Sequence, residues 1–236
     1  MKIMQPTAEI MSATPFLTKN IEAAIRTCYR SEDRIEVGSD VKIIETIKTN
    51  KHESCLEHGA ITVRFICDRG ITHELVRHRL AAYSQESTRY CNYGKGKFGN
   101  EITVIEPFFY TGRDVERAAW VNSCEEAEHS YMTLLAANSK AQEARSVLPN
   151  SLKTEIVMTA NPREWRHVFM MRTSNAAHPQ IRQIMCPLLV EFRKQWNVLF
   201  NDVGSIEHSH PATITYSELA KSIFEFEQGY LLSEAS

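Results

Sequence analysis

The chain has 236 residues, with 27 Lys plus Arg against 29 Asp plus Glu, and is 43% hydrophobic and 9% aromatic. These fractions are those of ordinary globular chains and exclude wholesale disorder, a collagen-like repeat and a membrane protein. A net charge of −2 argues against a chain devoted to wrapping nucleic acid, which usually carries a basic excess.

The first residues carry no apolar run of signal-peptide length, and no stretch approaches the roughly 18–20 apolar residues of a membrane span. Cys28, Cys55, Cys67, Cys91, Cys124 and Cys186 are scattered without a C-x-x-C pair, the usage of reduced thiols and not of a disulfide framework. The expectation is a cytoplasmic protein. With no repeat, low-complexity tract or Gly/Ser linker, residues 1–236 are expected to form one domain ending in a helical tail, 206–236.

Residues 1–15 read as a short strand. Helices are predicted over 19–30, where Ile21, Ala24, Ile25 and Cys28 share a side, and over 40–50. Residues 60–67 alternate, with Ile61, Val63, Phe65 and Cys67 on one face, as a half-buried strand requires. Gly70 then breaks the strand, 71–80 looks helical, and a polar loop leads to a strand at 101–105. A long polar-faced helix is predicted over 114–142, while 152–160 is ambiguous between strand and helix. Asn161-Pro162-Arg163-Glu164 offers an N-cap, a proline at the first helical position and a glutamate three residues after the cap, so a helix runs from 162 to about 172. A second helix is predicted over 179–203, kinked or broken at Pro187, and a last one from Ser217. This order is mixed α+β and lacks the alternation of a doubly wound sheet.

Sixteen of the 27 basic residues are Arg, and two windows contain Arg without Lys. Window 64–89 holds Arg64, Arg69, Arg77, Arg79 and Arg89; window 161–182 holds Arg163, Arg166, Arg172 and Arg182, with Glu164 as its only acid. A planar guanidinium grips phosphate or carboxylate bidentately and stacks on flat rings. A single arginine is most simply read as a salt-bridged surface charge; nine in two windows point to an anion pocket. Between Leu80 and Arg89, Tyr83, Ser84, Gln85, Glu86, Ser87 and Thr88 can serve a phosphate, sugar or base, and the helix start at Asn161 is a second natural anion site.

Other chemistries fit poorly. His73 and His78 bracket a zinc-protease-like run but stand five apart, roughly 140° out of line on a helix. His208-Ser209-His210 is better read as solvated loop than as metal ligands, and no metal is expected. Ser87 has no G-x-S-x-G elbow, the cysteines have no catalytic context, and neither G-x-G-x-x-G nor a P-loop is present.

Arg77-His78-Arg79, then seven residues, then Ser87 resembles the signature of the flavin-dependent thymidylate synthases, and Thr88-Arg89-Tyr90 continues the likeness. His52-Glu53-Ser54-x-x-Glu57-His58, Ala144-Arg145-x-x-Leu148-Pro149, and Asn161-x-Arg163 through Met171-Arg172 agree in the same order. The resemblance spans roughly residues 1–205 and leaves the tail uncovered. It implies a homotetrameric α+β enzyme with a mainly antiparallel central sheet flanked by helices and with sites shared between subunits. Such an enzyme converts dUMP to dTMP, taking the methylene from methylenetetrahydrofolate and the hydride from FAD reduced by NADPH.

Carried over residue by residue, the likeness assigns Ser54, Arg77, His78, Arg79, Gln85, Asn161, Arg163 and His167 to FAD. Glu74, Arg77, Gln85, Glu86, Ser87, Thr88, Arg89, Arg145 and Arg172 are assigned to dUMP. Arg172 matches the catalytic arginine that lies against the uracil and favours its ionised form. Three positions depart from the family: Glu74 stands where Gln is frequent, His167 where Asn is common, and either Gln85 or Glu86 takes the family glutamate's role. The chemistry is coherent, because a guanidinium stabilising negative charge on the uracil raises electron density at carbon 5 without a cysteine adduct. The competing readings are a nucleotide-binding flavoenzyme of another reaction type and a nucleic-acid-binding module, the latter supported by the Arg windows and by Tyr83, Tyr90, Tyr93 and Trp165.

Overall fold

The computed structural model describes residues 1–207 and 211–234; His208-Ser209-His210, singled out above, lies outside them. The elements in chain order are β1 (Lys2–Met4), β2 (Thr7–Ala13), α1 (Leu17–Tyr29), α2 (Ser39–Thr49), β3 (Ile61–Asp68), α3 (Arg69–Leu75), β4 (Ala82–Gln85), β5 (Thr103–Ile105), α4 (Asp114–Ala136), α5 (Ala141–Ala144), β6 (Lys153–Ala160), α6 (Pro162–Arg172), α7 (Pro179–Gln195), α8 (Asn197–Phe200), β7 (Thr213–Tyr216) and α9 (Glu218–Glu234). A five-stranded, mainly antiparallel sheet has the order β4-β6-β3-β2-β7. A two-stranded sheet pairs β1 in parallel with β5, Lys2 opposite Thr103 and Met4 opposite Ile105. The mixed α+β class read from the sequence is borne out.

Several boundaries differ from the sequence reading. The first fifteen residues form two strands, separated by Gln5-Pro6, where proline removes a ladder donor. The helix placed at 71–80 begins earlier and ends at Leu75, because Asp68 caps it by accepting from the Ile71 N–H at 2.8 Å; Gly70 is inside the helix and does not precede it. The helix expected to 142 stops at Ala136, where Asn138 takes a left-handed conformation (φ 67°) that interrupts right-handed winding. Pro187 neither breaks nor ends α7, which continues to Gln195. Met185, Cys186, Leu188, Leu189 and Phe192 around it are all buried, and at roughly 1.5–3 kcal/mol each their burial exceeds the roughly 3 kcal/mol of an interior proline. The stretch 152–160 resolves to strand β6, with Thr154, Ile156, Met158 and Ala160 buried and alternate residues half-exposed. Strands β4 and β7, at the two edges of the sheet, were not read from the sequence; both are four residues long and alternate between exposed and half-buried positions.

The chain divides into two compact units. The first comprises Met1–Thr7, Phe65–Arg77 and Ser84–Ile156; its core contains Tyr93, Ile102, Val104, Cys124, Tyr131 and Leu152. The second comprises Ala8–Arg64, His78–Tyr83 and Val157–Ser236. Its centre is an aromatic cluster in which Trp165, Phe169, Phe192 and Phe200 are fully buried with Trp196 beside them, ring centroids 5.0–5.9 Å apart. The Trp165 indole N–H donates to the Ile61 carbonyl at 3.0 Å, which ties α6 to β3. Among the described residues no helix is long and apolar enough to cross a membrane.

Candidate active site

Helix α6 brings two of the second window's four arginines, Arg163 and Arg166, to one cavity. Asn161 accepts from the Glu164 N–H at 2.9 Å and Pro162 opens the first turn, the start that the sequence predicts. Trp165 and Phe169, one turn apart, bury one face; Arg163, His167 and Met170 are exposed on the opposite one. A cavity of 810 Å³ lies against this face, lined by Glu53, Glu57, Leu80, Asn161, Arg163, Glu164, Arg166, His167, Met170, Asp202 and Val203. Its volume falls within the range of small-molecule and cofactor sites, about 300–1,000 Å³.

Two guanidiniums in the cavity are held very differently. Arg166 is buried, grips Asp202 with both Nη atoms at 2.7 and 2.9 Å, and donates to the Leu199 carbonyl at 2.6 Å. Burial opposes ionisation of Asp202, but Arg166 and Lys48 overcome it and hold the carboxyl far below the usual carboxylate range. Arg163 is half-exposed and meets half-exposed Glu57 at 2.5 Å, so water weakens that pair and leaves it exchangeable for another anion. The acids that answer window 161–182 therefore come from positions 53, 57 and 202, which its local sequence could not reveal.

Arg172 and His78 meet in the same unit. The Arg172 Nε–H donates to His78 Nε2 at 2.9 Å, Glu164 Oε1 lies 3.6 Å from His78 Nδ1, and the His167 ring stands edge-on to His78 at 5.5 Å. The Tyr83 hydroxyl donates to the His78 carbonyl at 3.0 Å, and burial with Glu164 nearby pushes that phenol up to about 12. Burial, followed by the Arg172 charge and His167, pulls the His78 imidazole down to about 4. His78 is thus neutral at physiological pH.

This has a measurable consequence for stability. The unfolded chain protonates His78 near 6.5 and the fold resists until about 4, so the unfolded state binds more protons in that window and stability falls as pH drops through it. Between pH 7 and about 4.5 the wild-type protein should lose on the order of 2 kcal/mol more unfolding free energy than His78→Gln, measured by urea titration at both pH values. Glu164, raised by burial, acts with the opposite sign but is common to both proteins. Equal losses in the two would show that His78 is not buried neutral.

The first unit holds a second cluster. Gln85 donates from its amide to the Thr72 and Thr154 hydroxyls at 3.0 and 3.3 Å. Glu86 accepts from the Tyr93 hydroxyl at 2.9 Å and from Lys153 at 3.0 Å; burial and the Glu86 charge push the Tyr93 phenol upward. Burial alone would lower Lys153, but its bonds to Glu155 and Glu86 keep it protonated. Thr88 is buried and accepts from Arg145 at 3.3 Å. Ser87 turns back on its own loop, its Oγ accepting from the Arg89 N–H at 3.3 Å.

Comparison with known proteins decides the family. The family model described as thymidylate synthase complementing protein matches residues 9–196. A flavin-dependent thymidylate synthase of Corynebacterium efficiens is 33% identical over 195 residues, 77% of this chain and 78% of that one. The chain belongs to the flavin-dependent thymidylate synthase family. The enzyme of that name from Geobacter sulfurreducens is 28% identical over 202 residues, 83% of this chain and 85% of its own. A UMP/dUMP methylase, PolB of Streptomyces cacaoi, solved with 5-Br dUMP, shares the fold at TM-score 0.72 and 22% identity, covering 85% of this chain and 96% of that one.

Set against this family, the residues inferred from the motifs fall into two groups. Ser54, His78, Arg79, Asn161, Arg163, His167 and Arg172 lie in the second unit; Glu74, Arg77, Gln85, Glu86, Ser87, Thr88, Arg89 and Arg145 lie in the first. Asn161, Arg163 and His167 line the cavity directly. Arg79 is exposed beside the lining Leu80, and Ser54 is exposed in the turn that supplies Glu53 and Glu57. Sequence reasoning missed Asp202, Val203, Met170 and Leu80 as lining residues, and Thr72, Thr154, Tyr93 and Lys153 as partners of the polar loop. None of these carries a local motif. Arg166 and Glu164 were visible, as a window arginine and as a cap residue, without their roles.

Proposed function

We propose that the protein makes dTMP by reductive methylation of dUMP, with methylenetetrahydrofolate as carbon donor and an FAD reduced by NADPH as hydride source. It would work in the cytoplasm as a homotetramer with sites shared between subunits. The observation that carries the reading is the contact between Arg172 and neutral His78 inside a chain of this family.

The cavity of the second unit suits a flavin. Leu80, Met170 and Val203 offer apolar surface to a flat ring, while Asn161, His167 and exchangeable Arg163 offer donors to its polar groups. When bound, FAD supplies the hydride. The chain's own residues do the rest. Arg163 and Asn161 would hold the cofactor, and the family likeness adds Ser54, Arg77, His78, Arg79, Gln85 and His167 as residues that would contact it in a site shared between subunits. Arg145, Ser87, Arg89 and Thr88 take the phosphate of dUMP, with Glu74, Gln85 and Glu86 on its sugar or base. Arg172 stabilises negative charge on the uracil carbonyl and ring nitrogen, a preorganised donor of the kind that acts strongly away from water.

Release of tritium from dUMP labelled at carbon 5, dependent on NADPH and methylenetetrahydrofolate, tests the reaction directly. A protein that binds flavin but releases no label would be an enzyme of another reaction type. Arg79→Ala should purify without the yellow colour of the wild-type protein; full colour in the variant would remove Arg79 from the flavin site.

A further inference from the structure

His78 lies between an acid and a base. A guanidinium N–H can only donate, so the Nε2 atom that accepts from Arg172 Nε at 2.9 Å carries no proton in the neutral ring. The proton is on Nδ1, and Nδ1 is the atom that faces Glu164 Oε1 at 3.6 Å. That distance exceeds a hydrogen bond. With side chains only 3% and 7% exposed, it is close enough for a carboxylate to favour the tautomer whose N–H dipole points toward it. The Glu164 main chain is held by the Asn161 cap, its N–H donating at 2.9 Å. His167 stands edge-on to the ring, and Tyr83 holds the His78 main chain through its carbonyl.

We propose that Glu164 is a positioning residue that acts through His78 to set the orientation of the Arg172 guanidinium. The inference rests on the assignment of Arg172 to the pyrimidine. With the carboxylate in place, Nε2 stays an acceptor and the Nε edge of Arg172 docks on it, which fixes the rotation of the guanidinium plane. In the other tautomer an imidazole N–H would face the Arg172 N–H, and the guanidinium would have to turn away.

The test uses the full chain labelled with ¹⁵N-histidine, with the His78 resonances identified by their loss in His78→Gln. The wild-type spectrum should show a protonated Nδ1 and a bare Nε2. Glu164→Gln presents an amide N–H to Nδ1 and should shift the ring toward the Nε2–H tautomer. Its kcat for tritium release, counted per bound flavin, should fall about ten-fold, the effect of misaligning one charge-assisted hydrogen bond, with KM for dUMP little changed. Glu164→Asp, which keeps the charge, should retain the wild-type tautomer. A wild-type ring protonated on Nε2, or a folded Glu164→Gln with unchanged tautomer and kcat, would overturn the inference. If Glu164→Gln does not fold, the wild-type and Glu164→Asp spectra decide. Absence of tritium release from the wild-type protein would instead refute the proposed reaction, while the tautomer measurement would stand on its own.

Discussion

Arg172→Ala is expected to lower dTMP formation by at least about 100-fold, the usual loss when a preorganised donor to developing negative charge is removed, while the protein still folds and retains flavin. Arg172 reaches His78 from the last residue of α6 and is half-buried, so truncation leaves the aromatic core of Trp165, Phe169, Phe192 and Phe200 untouched. The side chain contributes a permanent positive charge whose placement matters more than its presence. Arg172→Lys should therefore restore little, because an ammonium cannot both meet His78 and present a planar fork to a pyrimidine. Single-turnover assays of dTMP formation, alongside the flavin spectrum, separate the chemical step from binding. Near wild-type turnover in Arg172→Ala would remove this residue from the reaction.

The second large effect is on stability. Arg166→Ala should destabilise the protein by about 3 kcal/mol, the low end for removing one partner of a buried ion pair. The low end applies because the Asp202 side chain is 46% exposed although that of Arg166 is only 9% exposed. The substitution also strips the Leu199 carbonyl of its donor. It leaves Asp202 with Lys48, whose Nζ is 2.9 Å away and also holds the Val198 carbonyl and Asn201. Arg166→Met, which keeps the apolar stem, should recover part of the packing loss but not the charge loss. Urea unfolding of the three proteins measures both contributions, and a loss below about 1 kcal/mol for Arg166→Ala would class the bridge with ordinary surface pairs.

Both expectations show where sequence reading stops. The start of α6 was legible because capping is local: Asn161, Pro162 and Glu164 lie within four residues and meet through backbone atoms. The face of β3 was legible for the same reason, since alternation alone places Ile61, Val63, Phe65 and Cys67 inward. The motif Arg77-His78-Arg79 with Ser87 identified the family without any geometry. The partners of Arg163 and Arg166 were not legible: Glu53 and Glu57 stand in a family block about a hundred residues away that says nothing of pairing, and Asp202 carries no pattern of its own. Edge strands β4 and β7 escaped because four residues with half-buried faces give too short a period to distinguish from loop.

By itself the sequence determined most of the helices, the start of α6 and the buried face of β3, and which chemical groups stand in the same order as in a known family. Those are properties of neighbours along the chain. Only the tertiary structure shows that burial and the Arg172 charge favour a neutral His78, that Arg172 donates to it, that Arg166 is buried on Asp202 while Arg163 meets Glu57 within reach of water, and that Glu164 lies 3.6 Å from the His78 ring. Charge state and donor direction depend on burial and on groups brought close by folding, and no spacing in the sequence encodes them.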